Sequence, residues 1–380
     1  MTDISTTFAG IPLDGPVIAA SGPPTENLRS ALACAESGAG AIITKSAAPI
    51  TQAERQGGRR ALRTHRGLWA QGSFGYETHT LDEAAELVAS ITRESPVPVI
   101  ASVGSTTLSP TEIVSSCQVL QQAGARGIQI DLFYVPQPRV SSLNIARVND
   151  LLLAAKEAVS VPVIPKLNID YPAAFCVEWL RPLHVAGILL LDSVRTPAPF
   201  DLATPQETLI PNLRGAKECS LFGGWQLPIT RQYTAVLARE GLGPICAGGG
   251  IWTGSDCLEL MMLGASAVQV CSAIVERGAK HIRTLNRQVR ESLERAGVDS
   301  LRGVIGVAPG NAYSAEEYPL VRARVDPSVC TGCGRCLEIA FCDDIRGEGG
   351  RVRILDGCIG CGYCQQVCPF PGAIVMEDAS

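Results

Sequence analysis

The chain has 380 residues, of which 46% are hydrophobic and 18% are charged, and its formal net charge at pH 7 is −5. A composition this apolar excludes a chain that is mostly disordered. No apolar run approaches the roughly 20 residues of a membrane span, and the slight excess of acids argues against a nucleic-acid partner. The first ten residues, MTDISTTFAG, do not resemble a secretory signal, so we expect a cytoplasmic protein without a membrane partner.

Short apolar runs alternate with segments of helical periodicity along the first 300 residues. Because a parallel strand covered on both faces is apolar throughout, each run is a predicted strand. The predicted strands are residues 17–20, 41–45, 99–103, 127–132, 163–167, 187–191, 244–247 and 267–270. Predicted helices between them include residues 26–37, 81–92, 111–123 and 256–263. Eight strand–helix units predict an α/β fold, the (β/α)8 TIM barrel, with a doubly wound open sheet as the alternative.

A glycine-rich joint follows the seventh predicted strand, at Gly248, Gly249 and Gly250. The loops after barrel strands seven and eight often bind phosphate, and glycine lets backbone amides approach it closely. The amides of Cys271 and Ser272, after the eighth strand, would complete such a cradle. We therefore expect a ligand that carries a phosphate.

Two lysines, Lys45 and Lys166, stand at the ends of predicted strands. A lysine at the carboxyl end of an apolar barrel strand points into the barrel mouth. Its ammonium group could there stabilise negative charge on a reduced flavin or on an enolate-like intermediate.

The last part of the chain carries two cysteine runs, Cys330-x2-Cys333-x2-Cys336-x5-Cys342 and Cys358-x2-Cys361-x2-Cys364-x3-Cys368, the second followed by Pro369. The second run matches the bacterial ferredoxin pattern, and the first has a longer final spacing and no proline. In two-cluster ferredoxins the fourth cysteine of each run binds the other cluster. We therefore predict one [4Fe–4S] cluster on Cys330, Cys333, Cys336 and Cys368, and a second on Cys358, Cys361, Cys364 and Cys342. Paired CxxC motifs also bind zinc, but three cysteines at this spacing, twice, argue against it.

These patterns divide the chain into three parts. Residues 1–300 are the predicted barrel, residues 301–325 a connector, and residues 326–380 a small ferredoxin-like α+β domain. The third part is also acidic: eight Asp and Glu stand against four Arg from Asp326 onward.

Several short motifs of the barrel resemble the dihydroorotate dehydrogenase family of FMN barrels. They are Ala20-Ser21-Gly22, Thr44-Lys45-Ser46, Pro165-Lys166-Leu167, Phe222-Gly223-Gly224, Gly249-Gly250-Ile251 with Thr253-Gly254, and Val268-Gln269-Val270-Cys271-Ser272. With the cysteine-rich domain attached, the layout is similar to the pyrimidine-reducing part of dihydropyrimidine dehydrogenases.

The resemblance implies FMN in the barrel. Ala20, Ser21, Lys45 and Ser46 would line the flavin, and Lys166 would face its pyrimidine edge and stabilise the reduced anion. The residues that would hold the phosphate are Gly224, Gly249, Gly250, Cys271 and Ser272. Gly22, Ser193 and Gly223 are assigned to the same cofactor site.

The segment after the fourth strand departs from the family, which has Asn-Leu-Ser-Cys-Pro-Asn there. In this chain Tyr134 occupies the position of the reactive Cys or Ser, and the family's Asn residues after strands four and six become Asp131 and Asp192. An Arg-rich stretch that includes His65 replaces the Asn-containing loop after strand two. Predicted substrate residues are Asp131, Asp192, Arg195 and His65. The changes argue against uracil and dihydroorotate as substrates.

The predicted catalytic residues are Tyr134 and Lys166. A phenol with a pKa near 10 stays protonated at neutral pH, and so suits a general acid that donates to carbon after hydride transfer. We expect an FMN- and iron–sulfur-dependent oxidoreductase that reduces or forms a C=C bond conjugated to a carbonyl or in a heterocycle.

Besides the barrel, the sequence shows no βαβ unit with a GxGxxG motif that would bind NAD(P)H or FAD. The two clusters are therefore expected to exchange electrons with a separate NAD(P)H-dependent reductase or a ferredoxin. A homo-oligomer and a small-molecule substrate are also expected. The alternatives are an electron-transfer subunit without its own substrate, a uracil or thymine reductase, and a phosphate-binding lyase or isomerase with an iron–sulfur tail.

Overall fold

The computed structural model describes residues 2–48, 59–65, 68–74, 78–105, 107–135, 141–197, 200–201, 203–208, 218–308, 320–339 and 341–378. The chain divides into two compact units, Met1–Gly310 and Asn311–Ser380. In the described ranges, no helix combines the length and the apolarity needed to cross a membrane.

Eight parallel strands close into a barrel in the first unit. In chain order they are Val17–Ala19, Ala41–Ile43, Val99–Gly104, Gly127–Asp131, Val163–Lys166, Ile188–Leu189, Ile245–Gly248 and Ala265–Val270. Consecutive strands pair with one another, and the eighth pairs with the first, where Val268 lies opposite Val17. Every strand overlaps a predicted one. The TIM-barrel prediction is confirmed, and the open-sheet alternative is wrong.

Helices of the first unit follow the strands. They are Leu28–Glu36, Leu81–Glu94, Pro110–Gln122, Ser142–Ala158, Ala173–Leu180, Leu227–Arg239, Gly254–Met262, Ser272–Arg277 and His281–Arg295. Thr80 and Thr253 begin their helices with capping boxes, in which the threonine hydroxyl accepts from the third helical N–H and that residue's carboxylate accepts from the threonine N–H.

The interior of the barrel is closed at the amino ends of its strands by a hairpin of Thr6–Phe8 and Ile11–Leu13. Phe8, Ile11 and Leu13 pack with inward-facing apolar residues of the strands. The hairpin takes up the space at this end, where a Cβ on Gly187 would lie 3.1 Å from the Phe8 ring. Polar chemistry is therefore confined to the opposite end, where the strands finish.

The loops after the second and sixth barrel strands share one antiparallel sheet. Its strands are, in spatial order, Val194–Pro197, Glu218–Phe222, Leu68–Phe74 and Arg59–His65. A hairpin of Phe200–Asp201 and Thr204–Thr208 follows the sixth-strand loop. The Arg-rich stretch thus contributes a strand beside the carboxyl ends of the barrel strands.

The second unit is a small α+β domain, as predicted. Val321–Val325 pairs with Ile374–Asp378, Ile345–Glu348 pairs with Arg351–Ile354, and Tyr363–Val367 is a short helix. Ala323, Ile345, Val352 and Ile374 form its small core with the cysteines.

Residues assigned to the connector are divided between the two units. Leu301–Val304 is a 3-10 helix of the first unit with Leu301 buried, and residues 321–325 are a strand of the second. Residues 309–319 lie outside the described residues.

Candidate functional site

Polar side chains from neighbouring strands meet at the carboxyl end of the barrel. The Ser46 hydroxyl lies 2.8 Å from Ser102 Oγ and 3.2 Å from Ser21 Oγ. It donates to Oδ2 of Asp131 at 2.8 Å. Nε2 of Gln129 donates to Ser102 Oγ at 2.6 Å. The Ser102 hydroxyl can therefore donate its own proton to Ser46 Oγ, while the Ser46 hydroxyl donates to Asp131. These contacts form a hydrogen-bond chain that is directed toward Asp131.

Lys166, at the end of the fifth strand, forms a buried ion pair. Its Nζ atom lies 2.6 Å from Oδ2 of Asp192, which follows the sixth strand. The other carboxylate oxygen of Asp192 accepts from the hydroxyl and the backbone N–H of Ser193, and Gln226 donates to the Asp192 carbonyl. Lys166 also lies opposite Asp131 in the register of strands four and five. One ammonium group is therefore flanked by two carboxyl groups.

The three charged groups have different pKa shifts. Burial raises the pKa of Asp131 above its usual range, although Lys166 opposes the shift. Burial acts in the same direction on Asp192, but there the charge and hydrogen bond of Lys166, together with the two hydrogen bonds from Ser193, outweigh burial and lower the pKa. Burial disfavours the charge on Lys166, but the two carboxylates outweigh burial and raise its pKa. Two acids with opposite shifts can hold different protonation states at one pH.

The turn that carries Tyr134 is held from three sides. Oδ1 of Asp131 accepts from the Phe133 N–H at 3.1 Å, which fixes the start of the 3-10 helix Leu132–Tyr134. Nη2 of Arg195 donates to the Phe133 carbonyl at 3.1 Å, and its guanidinium group lies 4.5 Å from the Phe133 ring centroid. A Cβ on Gly104 would lie 2.5 Å from Cδ2 of Tyr134. The Tyr134 ring therefore packs directly on bare backbone at the end of the third strand.

Glycine backbone lines the end of the seventh strand. Gly249 and Gly250 have φ angles of 102° and 87°. A Cβ on Gly250 would lie 2.3 Å from the backbone nitrogen of Leu227. A side chain at this position is therefore disfavoured both by the positive φ angle and by this steric clash. At Gly224, a Cβ would meet nothing within 4 Å. The exposed Gly224 thus has open space in front of its backbone, as a phosphate cradle needs.

The ends of the first and eighth strands also approach closely. The Ala20 N–H donates to the Val270 carbonyl at 3.1 Å. A Cβ on Gly22 would lie 2.7 Å from Sγ of Cys271. Ser272 begins the helix Ser272–Arg277. These contacts place Gly22, Cys271 and Ser272 next to one another at the barrel mouth.

Buried polar atoms near this end lack protein partners. Nδ2 of Asn168, Oε1 of Gln129 and Oε1 of Gln269 are buried, and none has a hydrogen-bond partner in the described part of the chain. Buried polar groups are normally paired. These three atoms could form hydrogen bonds with a bound polar ligand, such as a flavin.

Eight cysteines of the second unit line two cavities. The first cavity is lined by Cys330, Cys333, Cys336 and Cys368 together with Arg335 and apolar residues. The second is lined by Cys342, Cys358, Cys361 and Cys364. In the described ranges, no three His, Cys, Asp or Glu side chains converge tightly enough to hold one metal ion. A [4Fe–4S] cluster is held by four cysteine thiolates, so the four cysteines that line each cavity match the ligand number of one such cluster.

Comparison with known proteins agrees with both units. A family profile for dihydroorotate dehydrogenase matches residues 230–293, and one for a 4Fe-4S dicluster domain matches residues 322–369. The catalytic subunit of dihydroorotate dehydrogenase B (NAD(+)) from Thermoplasma acidophilum is 28% identical over 81% of this chain and 99% of its own length. A putative dihydroorotate dehydrogenase A (fumarate) from Aeropyrum pernix is 26% identical over 80% of this chain and 97% of its own length.

Another relative matches a larger share of the chain. The NAD-dependent dihydropyrimidine dehydrogenase subunit PreA of Escherichia coli K12 is 24% identical over 88% of this chain and 84% of its own length. The chain is a dihydroorotate dehydrogenase-like barrel joined to a 4Fe-4S dicluster domain. This combination indicates a flavin- and iron–sulfur-dependent oxidoreductase that acts on CH–CH groups, as the names of these relatives describe for dihydroorotate and dihydropyrimidine dehydrogenases.

The dihydroorotate dehydrogenase-like barrel brings most of the predicted site residues to its mouth. Lys45 follows the second strand, and its N–H donates to the Thr25 carbonyl at 3.2 Å. Gly223 precedes the 3-10 helix Gly224–Gln226. Arg195 contacts Phe133, and Asp131 is almost fully buried among protein groups. The backbone of His65 ends a strand of the added sheet, and its side chain lies outside the described residues.

Sequence reasoning missed Ser102, Gln129, Gln226 and Asn168. Ser102 and Gln129 are isolated polar residues inside apolar strands, and both are fully buried. A buried polar side chain within an apolar strand needs a partner, so this interruption of the pattern was a usable signal. Gln226 ends the short 3-10 helix Gly224–Gln226 and Asn168 lies in a loop, and no sequence pattern distinguishes a polar residue at either position.

Proposed function

We propose that the chain reduces or forms a C=C bond that is conjugated to a carbonyl or lies in a heterocycle, with FMN in the barrel and two [4Fe–4S] clusters in the second unit. The observation that carries the proposal is the joint presence, in one polar mouth, of the Lys166–Asp192 pair, buried Asp131 and Tyr134. Bound FMN would supply hydride exchange with the substrate.

The proposed FMN site uses the strand ends and the glycine backbone. Ala20, Ser21, Gly22, Lys45, Ser46 and Ser193 would line the isoalloxazine ring. Gly223, Gly224, Gly249, Gly250, Cys271 and Ser272 would hold the phosphate. The glycine geometry and the close approach of Gly22 to Cys271 support this assignment. Lys166 would contribute its charge at the pyrimidine edge of the ring.

Tyr134 is the proposed proton donor to substrate carbon. Its turn is fixed by Asp131, Arg195 and Gly104, so the phenol is held in one place, as general acid catalysis requires. In the structure Arg195 supports the Tyr134 turn through Phe133. We therefore propose it as a positioning residue, and Asp192 and His65 remain the proposed substrate contacts.

The substrate class follows from the charges of the mouth. A substrate carboxylate placed beside Lys166 would meet an ammonium group that is already paired with Asp192 at 2.6 Å and lies opposite Asp131 in the strand register. We therefore propose an uncharged or cationic substrate, in preference to dihydroorotate. Reduction of a pyrimidine ring is the second candidate, favoured by the similarity to the dihydropyrimidine dehydrogenase subunit.

The two cavities support one cluster each, with Cys330, Cys333, Cys336 and Cys368 on the first and Cys342, Cys358, Cys361 and Cys364 on the second. A separate reductase or ferredoxin would exchange electrons with them. Two of the relatives are named as subunits, which supports a partner of this kind.

The first test is the composition of anaerobically purified protein. We expect FMN and about eight irons per chain, with reoxidation of the reduced flavin by the true substrate. Iron without flavin, even after reconstitution with FMN, would contradict the proposal for the barrel. Tyr134→Phe should then slow flavin reoxidation by substrate while leaving flavin content unchanged, and an unchanged rate would remove Tyr134 from the chemistry.

A further inference from the structure

Exposed apolar side chains surround the second cysteine cavity. Phe341, Ile359 and Tyr363 are 68%, 84% and 55% exposed. Each is adjacent in sequence to a cysteine of that cavity: Cys342, Cys358 and Cys364. The rings of Phe341 and Tyr363 pack edge to face with centroids 5.1 Å apart. We call these three side chains the apolar patch. Large apolar groups held in solvent beside one site are typical of a contact with another protein.

The first cavity has a smaller apolar surface. Val329 and Leu337 adjoin its cysteines Cys330 and Cys336, but they are only 37% and 39% exposed. Aromatic residues are enriched where proteins meet, and Phe370, an aromatic residue that lines the first cavity, is 37% exposed, less than Phe341 or Tyr363. The two cavities are therefore unequal as docking sites.

Charge also distinguishes the two cavities. Asp343 adjoins Cys342, and Asp344 lines the second cavity. A Cβ on Gly357 would lie 2.5 Å from Oδ1 of Asp344, which places Asp344 beside the backbone that carries exposed Asp356. Of these three acids, Asp344 lines the second cavity, and Asp356 is paired with Arg322 at 3.9 Å.

Arginine takes the corresponding place at the first cavity. Arg335 lines that cavity. The lining of the second cavity therefore includes a carboxylate, Asp344, and the lining of the first includes a guanidinium group, Arg335.

We propose that the cluster of the second cavity exchanges single electrons with a separate redox protein that docks on the apolar patch through an apolar centre and a basic rim. The inference rests on the proposed function, because it needs both the clusters and a separate partner. In each encounter the cluster loses or gains one electron and the partner's centre gains or loses it, and no atom is transferred. Small contacts of this kind suit short-lived electron-transfer complexes, and opposite charges steer them together.

Ferric cytochrome c, a basic one-electron protein, serves as the probe. Holoprotein is reduced with dithionite under nitrogen, freed of excess reductant and mixed with cytochrome c by stopped flow. We expect Phe341→Ser/Ile359→Ser to slow the second-order transfer about tenfold, a change within the range of single interfaces. Asp343→Asn/Asp356→Asn should weaken its dependence on ionic strength. Affinity for redox-inert zinc-substituted cytochrome c, measured by fluorescence anisotropy, should fall in parallel.

Val329→Ser/Leu337→Ser is the matched control, since it removes exposed apolar groups beside the first cavity. It should leave transfer and affinity unchanged. Equal slowing in both double variants, or no slowing in either, would overturn the proposal. Iron content and the rate with ferricyanide show whether each variant keeps its clusters, and single Ile359→Asn repeats the test at the most exposed position.

The same experiment separates this inference from the proposed function. Wild-type protein without iron would overturn both. If wild-type protein contains about eight irons but the patch substitutions do not change the rate of electron transfer to cytochrome c, only the docking site is overturned. If the patch variant has a lower unfolding midpoint but unchanged cytochrome c kinetics, the patch makes a contact within the protein, and the docking site is likewise overturned.

Discussion

Nζ of Lys166 lies 2.6 Å from Oδ2 of Asp192, and both side chains are largely buried at the mouth of the barrel. The dihydroorotate dehydrogenase family, by the motif compared above, has an amide where this chain has Asp192. The ammonium charge is therefore largely neutralised by a protein carboxylate before any ligand arrives. Three quantities are therefore expected to depend on this pair: the free energy of unfolding, the electrostatic potential of the mouth and the proposed preference for an uncharged or cationic substrate.

Asp192→Asn should destabilise the protein, because it leaves the buried ammonium without its nearest counter-charge. Removing one partner of a buried pair typically costs about 3–5 kcal/mol, and the retained amide hydrogen bond places the expected loss near the lower figure. Chemical denaturation followed by tryptophan fluorescence measures it. Glu240→Gln is the control, since the Arg181–Glu240 pair is exposed and should contribute less than about 1 kcal/mol. Equal losses in the two variants would contradict this account.

The same variant should raise the reduction potential of bound flavin. With Asp192 neutral, the Lys166 charge acts on the cofactor with less compensation, so the reduced, more negative form is favoured. Spectroelectrochemical titration measures the potential, and Glu240→Gln, which removes the exposed carboxylate of the Arg181–Glu240 pair, is the control. A potential that is unchanged or lower in Asp192→Asn would show that Lys166 does not face the flavin.

Asp131 should take up a proton at a pH above the ordinary carboxyl range. Burial raises its pKa, so the folded state binds this proton more tightly than the unfolded state does. The contribution of Asp131 to stability is therefore present below the ordinary carboxyl pKa near 3.9 and is lost as pH rises through the raised value. Infrared difference spectra should show a protonated carboxyl band that is absent from Asp131→Asn. A band that titrates in the ordinary range would contradict the shift.

The barrel could be predicted from the sequence because eight buried parallel strands leave eight apolar runs in order. The cysteine spacing likewise indicated which cysteines line each cavity. The side-chain contacts of Arg195 could not be predicted. Its partner Phe133 is 62 residues away, and no local pattern distinguishes an arginine that supports a loop from one that binds substrate.

Arg195→Met should lower the rate of proton transfer more than it weakens substrate binding. The variant removes the hydrogen bond to the Phe133 carbonyl and the contact with the Phe133 ring, so the Tyr134 turn loosens. We expect kcat to fall about tenfold or more with a smaller change in KM, since misplacing a catalytic group slows the chemical step. Arg195→Lys should recover part of the rate. A large rise in KM with unchanged kcat would instead indicate that Arg195 binds the substrate directly.

Gly104→Ala should have a similar effect from the opposite side of Tyr134. The new methyl group would lie 2.5 Å from the ring carbon Cδ2, so the ring must move. Flavin content should be retained, and substrate-dependent flavin reoxidation should slow at least as much as in Tyr134→Phe. A rate equal to wild type would show that the position of this ring is not important for the reaction.

Cys342→Ala and Cys368→Ala should each damage a different cluster, although each cysteine is the fourth of its own run. Cys342 lines the cavity of Cys358, Cys361 and Cys364, and Cys368 lines the cavity of Cys330, Cys333 and Cys336. Each variant should fall from about eight irons toward four. Electron paramagnetic resonance of the dithionite-reduced variants decides which signal remains. Cys342→Ala should lose the same signal as Cys358→Ala and keep the signal that Cys330→Ala loses. Cys368→Ala should lose the same signal as Cys330→Ala and keep the signal that Cys358→Ala loses. The opposite pattern would mean that each run binds its own cluster with its own fourth cysteine.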